Sequence, residues 1–536
     1  MRVLSTFLLL LLGLAPGALA QSAQQVDDVF AAFVGTDLPG CAVGVSQDGE
    51  IVLERAYGMA NLEFDVINTP MTIFEPGSVS KQFTAAATIL LALDGAVSLD
   101  EDIRSWVPEL PDYGEPITLR HLMTHTSGLR DWGSVAGISG WSRTTRTHTH
   151  VHALDIASRQ LELNYPPGTY YSYTNTGYNL QAIIVERVSG MSFAEFSRTR
   201  IFEPLGLHHT EWRDDYTRVV KDRATAYRPN QQTGGFNMLM PFENVHGNGG
   251  LLTTVGDLLR FTWYLETGPA AFREEMHRQG VLNNGVEISY ASGLVVGTWR
   301  GVPEIRHSGA TAGYRGYLAR YPDQGVAVAV MCNTAGANAT ALARSTAELW
   351  LGDALSDDPS VAPEPIVRLS RDRLEDLAGG FRNTRNQSYV VLTATTDGLM
   401  GPGGRLVPET GMRFRGLRGE VLVFDSDDTA FLAQTSGDTL RYERVERFEP
   451  DEGEMDTFEG SYHSPEAEVT YRVVREDARL MMLDRYGNSG VMTPLYTDAF
   501  RSRLGTVVFT RDGRGRIDGF RASQGRVWSL RFDRSE

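Results

Sequence analysis

Three short clusters in this chain combine residue types that can carry out acyl transfer. The first is Ser78-Val79-Ser80-Lys81, the only place in 536 residues where a serine or threonine stands three positions before a lysine. At a helix start, residues three apart share a face, so the Lys81 amine can aim at the Ser78 hydroxyl. The helix N-terminus adds backbone donors and a partial positive charge that favour a developing anion. The chain holds 48 arginines but only two lysines, Lys81 and Lys221. A lysine kept against that bias suits a position needing a base that can lose its proton, which arginine cannot do. The pair therefore predicts a serine nucleophile beside a lysine base, although an ordinary helix start with an exposed lysine has the same four letters.

The second cluster is Tyr173-Thr174-Asn175, in a loop opened by Pro166-Pro167-Gly168. A tyrosine held there can relay a proton if nearby cations lower its pKa, and an asparagine amide can position a carbonyl. Taken alone, the four tyrosines 170, 171, 173 and 178 fit simple packing against the following helix. The third cluster is His307-Ser308-Gly309. Its glycine would let a substrate backbone approach a strand edge, while its histidine also fits a plain strand start.

The elements that must position these clusters mix two periodicities. Cys41–Ser46 and Ile51–Arg55 read as a hairpin around Asp48-Gly49. Ser78–Leu93 reads as a helix with Phe83, Ala86, Ala87, Leu90 and Leu93 on one apolar face and Gly95 as its stop. Tyr178–Val188 reads as another, stopped by Gly190. Tyr317–Tyr321 and Val326–Cys332 read as consecutive strands. Residues 356–366, rich in proline and acid, have a linker composition. Beyond them, short strand-like runs alternate with glycine turns, as all-β modules do. A faint repeat relates Leu377-Ala378-Gly379-Gly380-Phe381 to Phe458-Glu459-Gly460-Ser461-Tyr462, 81 residues on. We therefore expect two tandem β-barrels, 367–448 and 455–536, behind a mixed domain at 21–355.

Composition narrows the function classes. A net charge of −17 disfavours nucleic acid, because such a surface repels phosphate. Two cysteines, Cys41 and Cys332, cannot build a disulfide framework or a cysteine zinc site. Residues 1–20 read as a secretory signal: Arg2, an apolar run, then Ala18-Leu19-Ala20. That predicts a periplasmic or secreted protein beginning near Gln21, with no membrane span after cleavage and an oligomeric state left open.

Together and in this order, the three clusters resemble those of the penicillin-recognising serine hydrolases: class C β-lactamases, D-alanyl-D-alanine carboxypeptidases, D-stereospecific aminopeptidases and related esterases. Phe74–Thr84, Ile117–Leu129, Pro167-Gly168 and Gly249-Gly250-Leu251 support the resemblance, which covers about residues 35–350. It implies an α+β fold, an antiparallel sheet flanked by helices with a helical region beside it. It also implies Ser78 as nucleophile, Lys81 and Tyr173 as acid–base pair, and Asn175 as the ligand of the substrate carbonyl. His307, Gly309 and Ala310 would bind substrate, with the backbone amides of Ser78 and Ala310 as oxyanion hole. The resemblance calls for no metal or cofactor. The two tail barrels are similar to the D-aminopeptidase arrangement, so short peptides, amides or esters are the expected substrates. Esterase, β-lactamase, carboxypeptidase and a non-catalytic peptidoglycan- or β-lactam-binding protein are the alternatives.

Further expectations follow from the resemblance. The family usually has lysine where His307 stands, holding a substrate carboxylate. A neutral histidine implies weaker carboxylate binding, favouring aminopeptidase or esterase over carboxypeptidase, unless Arg306 or Arg315 restores the charge. A loop from a tail barrel could limit the cleft and meet an amine; Asp484 is a candidate, though an ordinary hairpin-loop acid is the favoured reading. The strands bearing Cys41 and Cys332 would be antiparallel neighbours, placing the thiols close, bonded or not. His148, His150 and His152 alternate as metal ligands on a strand would, but the following residues look helical and a solvated loop is preferred. His121 and His125 are read as structural.

Overall fold

The apolar run Val326–Cys332 needs cover on both faces to form a strand, and it has it. In the computed structural model, which describes residues 16–356, 367–416 and 419–535, this run is wholly buried inside a six-stranded antiparallel sheet. Its strands are β1 (Cys41–Gln47), β2 (Glu50–Tyr57), β3 (Val295–Trp299), β4 (Val302–Thr311), β5 (Tyr314–Tyr321) and β6 (Val326–Cys332), in the order β2-β1-β6-β5-β4-β3. Successive side chains of β6 divide between the faces. Ala327, Ala329 and Met331 join one core with the Val255–Thr267 helix, and Val328, Val330 and Cys332 join another with the Ala339–Leu351 helix. Cys41 lies opposite Cys332 across β1 and β6, with Cα atoms 3.9 Å apart, and the two form a disulfide.

The expected leader to residue 15 and the linker from 357 to 366 lie outside the described residues. The first described helix, Pro16–Val29, runs across the expected cleavage point. No described helix is long and apolar enough to cross a membrane. The helix expected from Ser78 begins as a 3-10 turn, Gly77–Ser80, before the α-helix Lys81–Leu93. That helix is buried almost throughout and packs against Thr176–Ser189.

The tail forms two closed eight-stranded antiparallel barrels, spanning Gly379–Arg444 and Gly460–Ser535. In each, the first strand pairs with the second and with the last, closing the ring. Closure leaves no exposed edge, which is how such small modules avoid edge-to-edge association. A short helix leads into each barrel, Arg371–Leu377 and Glu452–Thr457, so the repeated unit is a helix and a barrel.

Candidate active site

Ser78 sits in the 3-10 turn where the chain enters the buried helix. Gly77 there has φ +58, a left-handed conformation that favours glycine, and a Cβ on it would lie 2.6 Å from the Ala310 nitrogen. A Cβ on Gly309 would lie 1.8 Å from the Pro76 carbonyl oxygen and 2.8 Å from the Ser78 nitrogen. These two glycines let β4 press against the Ser78 turn, bringing the Ser78 and Ala310 backbones side by side. Gly309 was expected to admit the substrate; its missing side chain instead admits the Pro76 carbonyl, although Gly309 and Ala310 both line the cleft.

Lys81 is fully buried. Its Nζ lies 2.6 Å from the Asn248 carbonyl oxygen, 3.0 Å from Asn175 Oδ1 and 3.3 Å from Ser78 Oγ. Burial, then the nearby Arg526 charge, holds the amine well below the usual lysine range; Asp131 opposes and Arg143 assists. A neutral amine has two N–H donors and one lone pair. In that neutral form Asn248 O and Asn175 Oδ1, which can only accept, take both donors and leave the lone pair to Ser78 Oγ, whereas the ammonium form donates to all three. Asn248 is held there because Asn179 Nδ2 donates to its Oδ1 at 2.7 Å, behind the Gly249-Gly250 turn. Asn175, expected to bind the substrate carbonyl, also uses its Oδ1 to orient Lys81.

The Tyr173 hydroxyl is buried without a hydrogen-bond partner, and Lys81 Nζ lies 4.8 Å from the ring centre. Burial pushes its pKa up, outweighing the Ser78 hydroxyl and Arg526, which pull it down. The sequence reading allowed for a lowered tyrosine pKa; in this pocket desolvation wins, and Tyr173 is a protonated phenol. The Tyr173 loop rests on His125, whose Nδ1 accepts from the Thr174 N–H at 3.2 Å and whose carbonyl accepts from the Ser172 N–H at 3.0 Å. Asp131 accepts from the Asn175 N–H at 2.8 Å and caps the Trp132–Ile138 helix.

His307 lies within β4 with both ring nitrogens engaged. Nδ1 is 2.6 Å from the Ser308 carbonyl oxygen and Nε2 is 2.9 Å from the Tyr290 hydroxyl. A carbonyl only accepts, so Nδ1 carries the proton and Nε2 accepts from Tyr290. Burial, with the Lys81 charge second, drives its pKa down to about 3. His307 is therefore neutral, as its identity suggested. It lines the cleft but serves as a strut to Tyr290, since neither nitrogen is free for a substrate.

The cleft at Ser78 has a volume of about 550 Å³, with Tyr173, His307, Arg315 and Arg526 on its walls and no acidic residue among its lining. Arg306 is spent on Glu304 at 3.0 Å, whereas among the described residues Arg315 donates only to the Ala312 and Tyr314 carbonyls. Asp484 does not reach this cleft. It caps its own turn through the Tyr486 and Asn488 N–H groups and pairs with Arg503 at 2.9 Å. The barrel residue that does arrive is Arg526, a cation from the turn before Val527–Ser535. Sequence reasoning missed Asp131, Asn248, Tyr290 and Arg526, none of which stands in a spacing that signals its role.

The alternating histidines do not share a strand face. Thr149 and His152 form a capping box at the start of the His150–Ser158 helix, and His148 is buried against Trp132 and Trp141. His150 turns instead toward Glu186 and His246, and possible ligand atoms of these three lie within 4.8 Å of one another. Among the described residues this is the one group with a donor set suited to a metal ion. Acyl transfer at Ser78 makes no use of it.

Comparison with known proteins identifies the family and the fold. Residues 26–349 match the family model described as Beta-lactamase. The chain is 29% identical over 309 residues to a penicillin-binding protein of Bacillus subtilis, covering 52% of this chain and 64% of that protein. It is 29% identical over 300 residues to a D-aminopeptidase of Gluconobacter oxydans, covering 55% and 56%. The chain thus spans less than two thirds of the length of these relatives. Two solved structures share the fold. One is an octameric penicillin-binding protein homologue from Pyrococcus abyssi, with TM-score 0.55 and 22% identity over 88% of this chain and 99% of that one. The other is a D-amino acid amidase from Ochrobactrum anthropi, with TM-score 0.52 and 23% identity over 62% and 98%.

Proposed function

The chain belongs to the β-lactamase family of serine hydrolases, and from that premise we propose that it cleaves amide or ester bonds in short peptides and their derivatives through an acyl-enzyme on Ser78. The arrangement of acceptors around Lys81 carries this reading. With both amine protons committed to Asn175 and Asn248, the Lys81 lone pair takes the Ser78 proton as Oγ attacks the carbonyl. The adjacent Ser78 and Ala310 amides then receive the oxyanion, a role supported by the close approach of the two backbones. Protonated Tyr173 gives its proton to the departing amine or alcohol. Water then attacks the acyl carbonyl and passes a proton to the tyrosinate. Ser78 leaves, recovering its proton from the Lys81 ammonium, and the site is reset.

Relatives named D-aminopeptidase, and a fold neighbour named D-amino acid amidase, make D-aminoacyl amides and peptides the first substrates to try. An exported location belongs to the same proposal, supported by the leader-like first 20 residues and by a disulfide of the kind found in oxidising compartments. The test is fluorophosphonate labelling together with turnover of D- and L-aminoacyl anilides, short esters and a chromogenic cephalosporin. Ser78→Ala should abolish labelling and turnover. Lys81→Arg should remain folded yet lose about 10²–10⁴ in rate, because arginine cannot accept the Ser78 proton. Near-normal turnover by Lys81→Arg would remove Lys81 as the base, and labelling without turnover of any substrate would make the protein a binder.

A further inference from the structure

The wall of the Ser78 cleft is completed from the far end of the chain. Arg526 follows Gly525 in the turn between strands Ile517–Gln524 and Val527–Ser535 of the second barrel. Its backbone is clamped onto the hydrolase domain. Asn164 Nδ2 donates to the Arg526 carbonyl at 3.0 Å, and the Trp528 N–H returns a bond to Asn164 Oδ1 at 2.8 Å. Beside this clamp, Arg130 donates to Glu466 of the same barrel at 2.5 Å, with both side chains buried. Tyr471 donates to the Ile138 carbonyl at 2.8 Å, and Trp132, Val135 and Ile138 share one apolar core with the barrel. This is a fixed joint, not a grazing contact.

The Arg526 side chain is the opposite: held at its root and open at its tip. It is 43% exposed, its guanidinium lies 4.6 Å from the Tyr173 ring centre, and Asp131 is 3.7 Å away. That guanidinium has Asp131 Oδ2 at ion-pair distance but, among the described residues, makes no hydrogen bond within 3.5 Å and keeps N–H donors to spare. Arg315, on the same cleft, has no carboxylate within ion-pair distance among the described residues and keeps one guanidinium arm unused. Two guanidinium groups with unspent N–H donors face a cleft whose lining has no acid and whose histidine is neutral. A guanidinium fork matches a carboxylate in geometry as well as charge. An ammonium entering the same space would meet like charge, and the nearest carboxylate, Asp131, is buried behind Arg526 and already faces it.

We propose that the second barrel is a built-in specificity module, whose turn places Arg526 over Tyr173 so that, with Arg315, it selects substrates bearing a carboxylate near the scissile bond and disfavours those bearing a free amine there. This rests on the acyl-enzyme reading of Ser78 and goes beyond it, and it replaces the preference for substrates without a carboxylate drawn from His307 and the tail barrels.

The test compares matched substrates in the full-length protein: a D-aminoacyl nitroanilide against its carboxy-nitroanilide, and a nitrophenyl butyrate against the nitrophenyl hemiester of succinic acid. Rates are read at a pH where activity has reached its plateau, so that any change in Lys81 titration cancels in the ratio. The native protein should favour the carboxylated member of at least one pair. Arg526→Gln should lower that ratio of kcat/KM about 10- to 100-fold, as loss of a hydrogen-bonded charge pair does. Arg526→Glu should lower it further. A thermal melt checks that each variant is folded. Calorimetry supplies a second measurement independent of turnover: Ser78→Ala protein should bind N-acetyl-D-alanine more tightly than its amide, and adding Arg526→Gln should erase the difference. Ratios and affinities unchanged within about twofold by Arg526→Gln would overturn the proposal. Absence of turnover with the calorimetric difference intact would overturn the acyl-enzyme reading and leave the anion site standing.

Discussion

The two tail barrels share one topology and have diverged in everything that touches the rest of the molecule. The second is packed with rings: Phe458 and Phe509 lie 4.7 Å apart, Tyr462 and Phe520 5.0 Å, Phe520 and Phe532 4.6 Å. Its core continues into the hydrolase domain, and its joint buries an ion pair. The first keeps an apolar cavity of about 130 Å³ bounded by Phe381, Leu392, Leu406, Leu422, Ala430 and Tyr442. Its contacts with the hydrolase domain include Arg385 stacked 3.4 Å over the Tyr170 ring and the Ser289 N–H donating to Ser436. Closing a barrel satisfies the backbone in both copies, so the interior and the turns were free to diverge. In one copy that freedom produced a rigid mount for a cleft residue; in the other it left slack.

The largest expected effect breaks the mount. Glu466→Ala takes away the close, buried carboxylate of Arg130, leaving only the half-exposed Glu162 at 3.9 Å, and should cost about 3 kcal/mol in a denaturant melt. Because Arg526 loses its platform, turnover of carboxylated substrates should fall as well. The matched cut at the first barrel, Tyr170→Leu, gives up the cation–π contact while leaving the buried Arg385–Asp438 ion pair in place, and should cost about 0.5–2 kcal/mol. Equal losses from the two variants would show that the barrels are coupled to the hydrolase domain alike.

Acid should separate the domains next. His307 has a pKa of about 3 in the fold, with His125 and His246 also held low by burial, whereas the single histidine of the barrels, His463, is exposed. Below pH ~6.5 the unfolded chain takes up protons that the folded hydrolase domain refuses. Stability is therefore fully present above ~6.5 and falls with pH, by about 1.4 kcal/mol per pH unit for His307 alone. Between pH ~6.5 and ~4.5, before carboxylates titrate, tryptophan fluorescence should lose its melting temperature faster than far-UV signals of the barrels. Seven of the eight tryptophans lie in the hydrolase domain. Parallel losses would place the sensitivity elsewhere.

The smallest effect probes the interiors. Ala430→Val extends into the first barrel's cavity and should raise stability by about 0.5–1 kcal/mol. Ala522→Val, in the filled core of the second, should lower it by about 1 kcal/mol through overpacking. The same sign from both would mean that the two interiors pack alike.

What the sequence determined by itself is everything that depends on neighbours along the chain. Ser78 and Lys81 meet because they stand three positions apart in one helical turn, and Tyr173 and Asn175 leave one loop together. The helix at Lys81–Leu93, the strands β5 and β6 and the repeat of the tail follow from local periodicity and glycine placement. The neutrality of His307 followed from its residue type. Only the tertiary structure decided how those groups are used. His307 spends both nitrogens on Tyr290 and Ser308 because β4 lies beside Tyr290. Tyr173 keeps its proton because the pocket around it excludes water more strongly than the nearby cations compensate. Arg526 is one of 48 arginines, in a turn with no unusual spacing. It reaches Tyr173 because a barrel closes, a buried Arg130–Glu466 pair fixes its orientation, and a turn remote in sequence comes down over Ser78. Local pattern encodes which atoms can react, while burial and docking set their charge and their company, and these are sums over contacts that no short stretch of sequence contains.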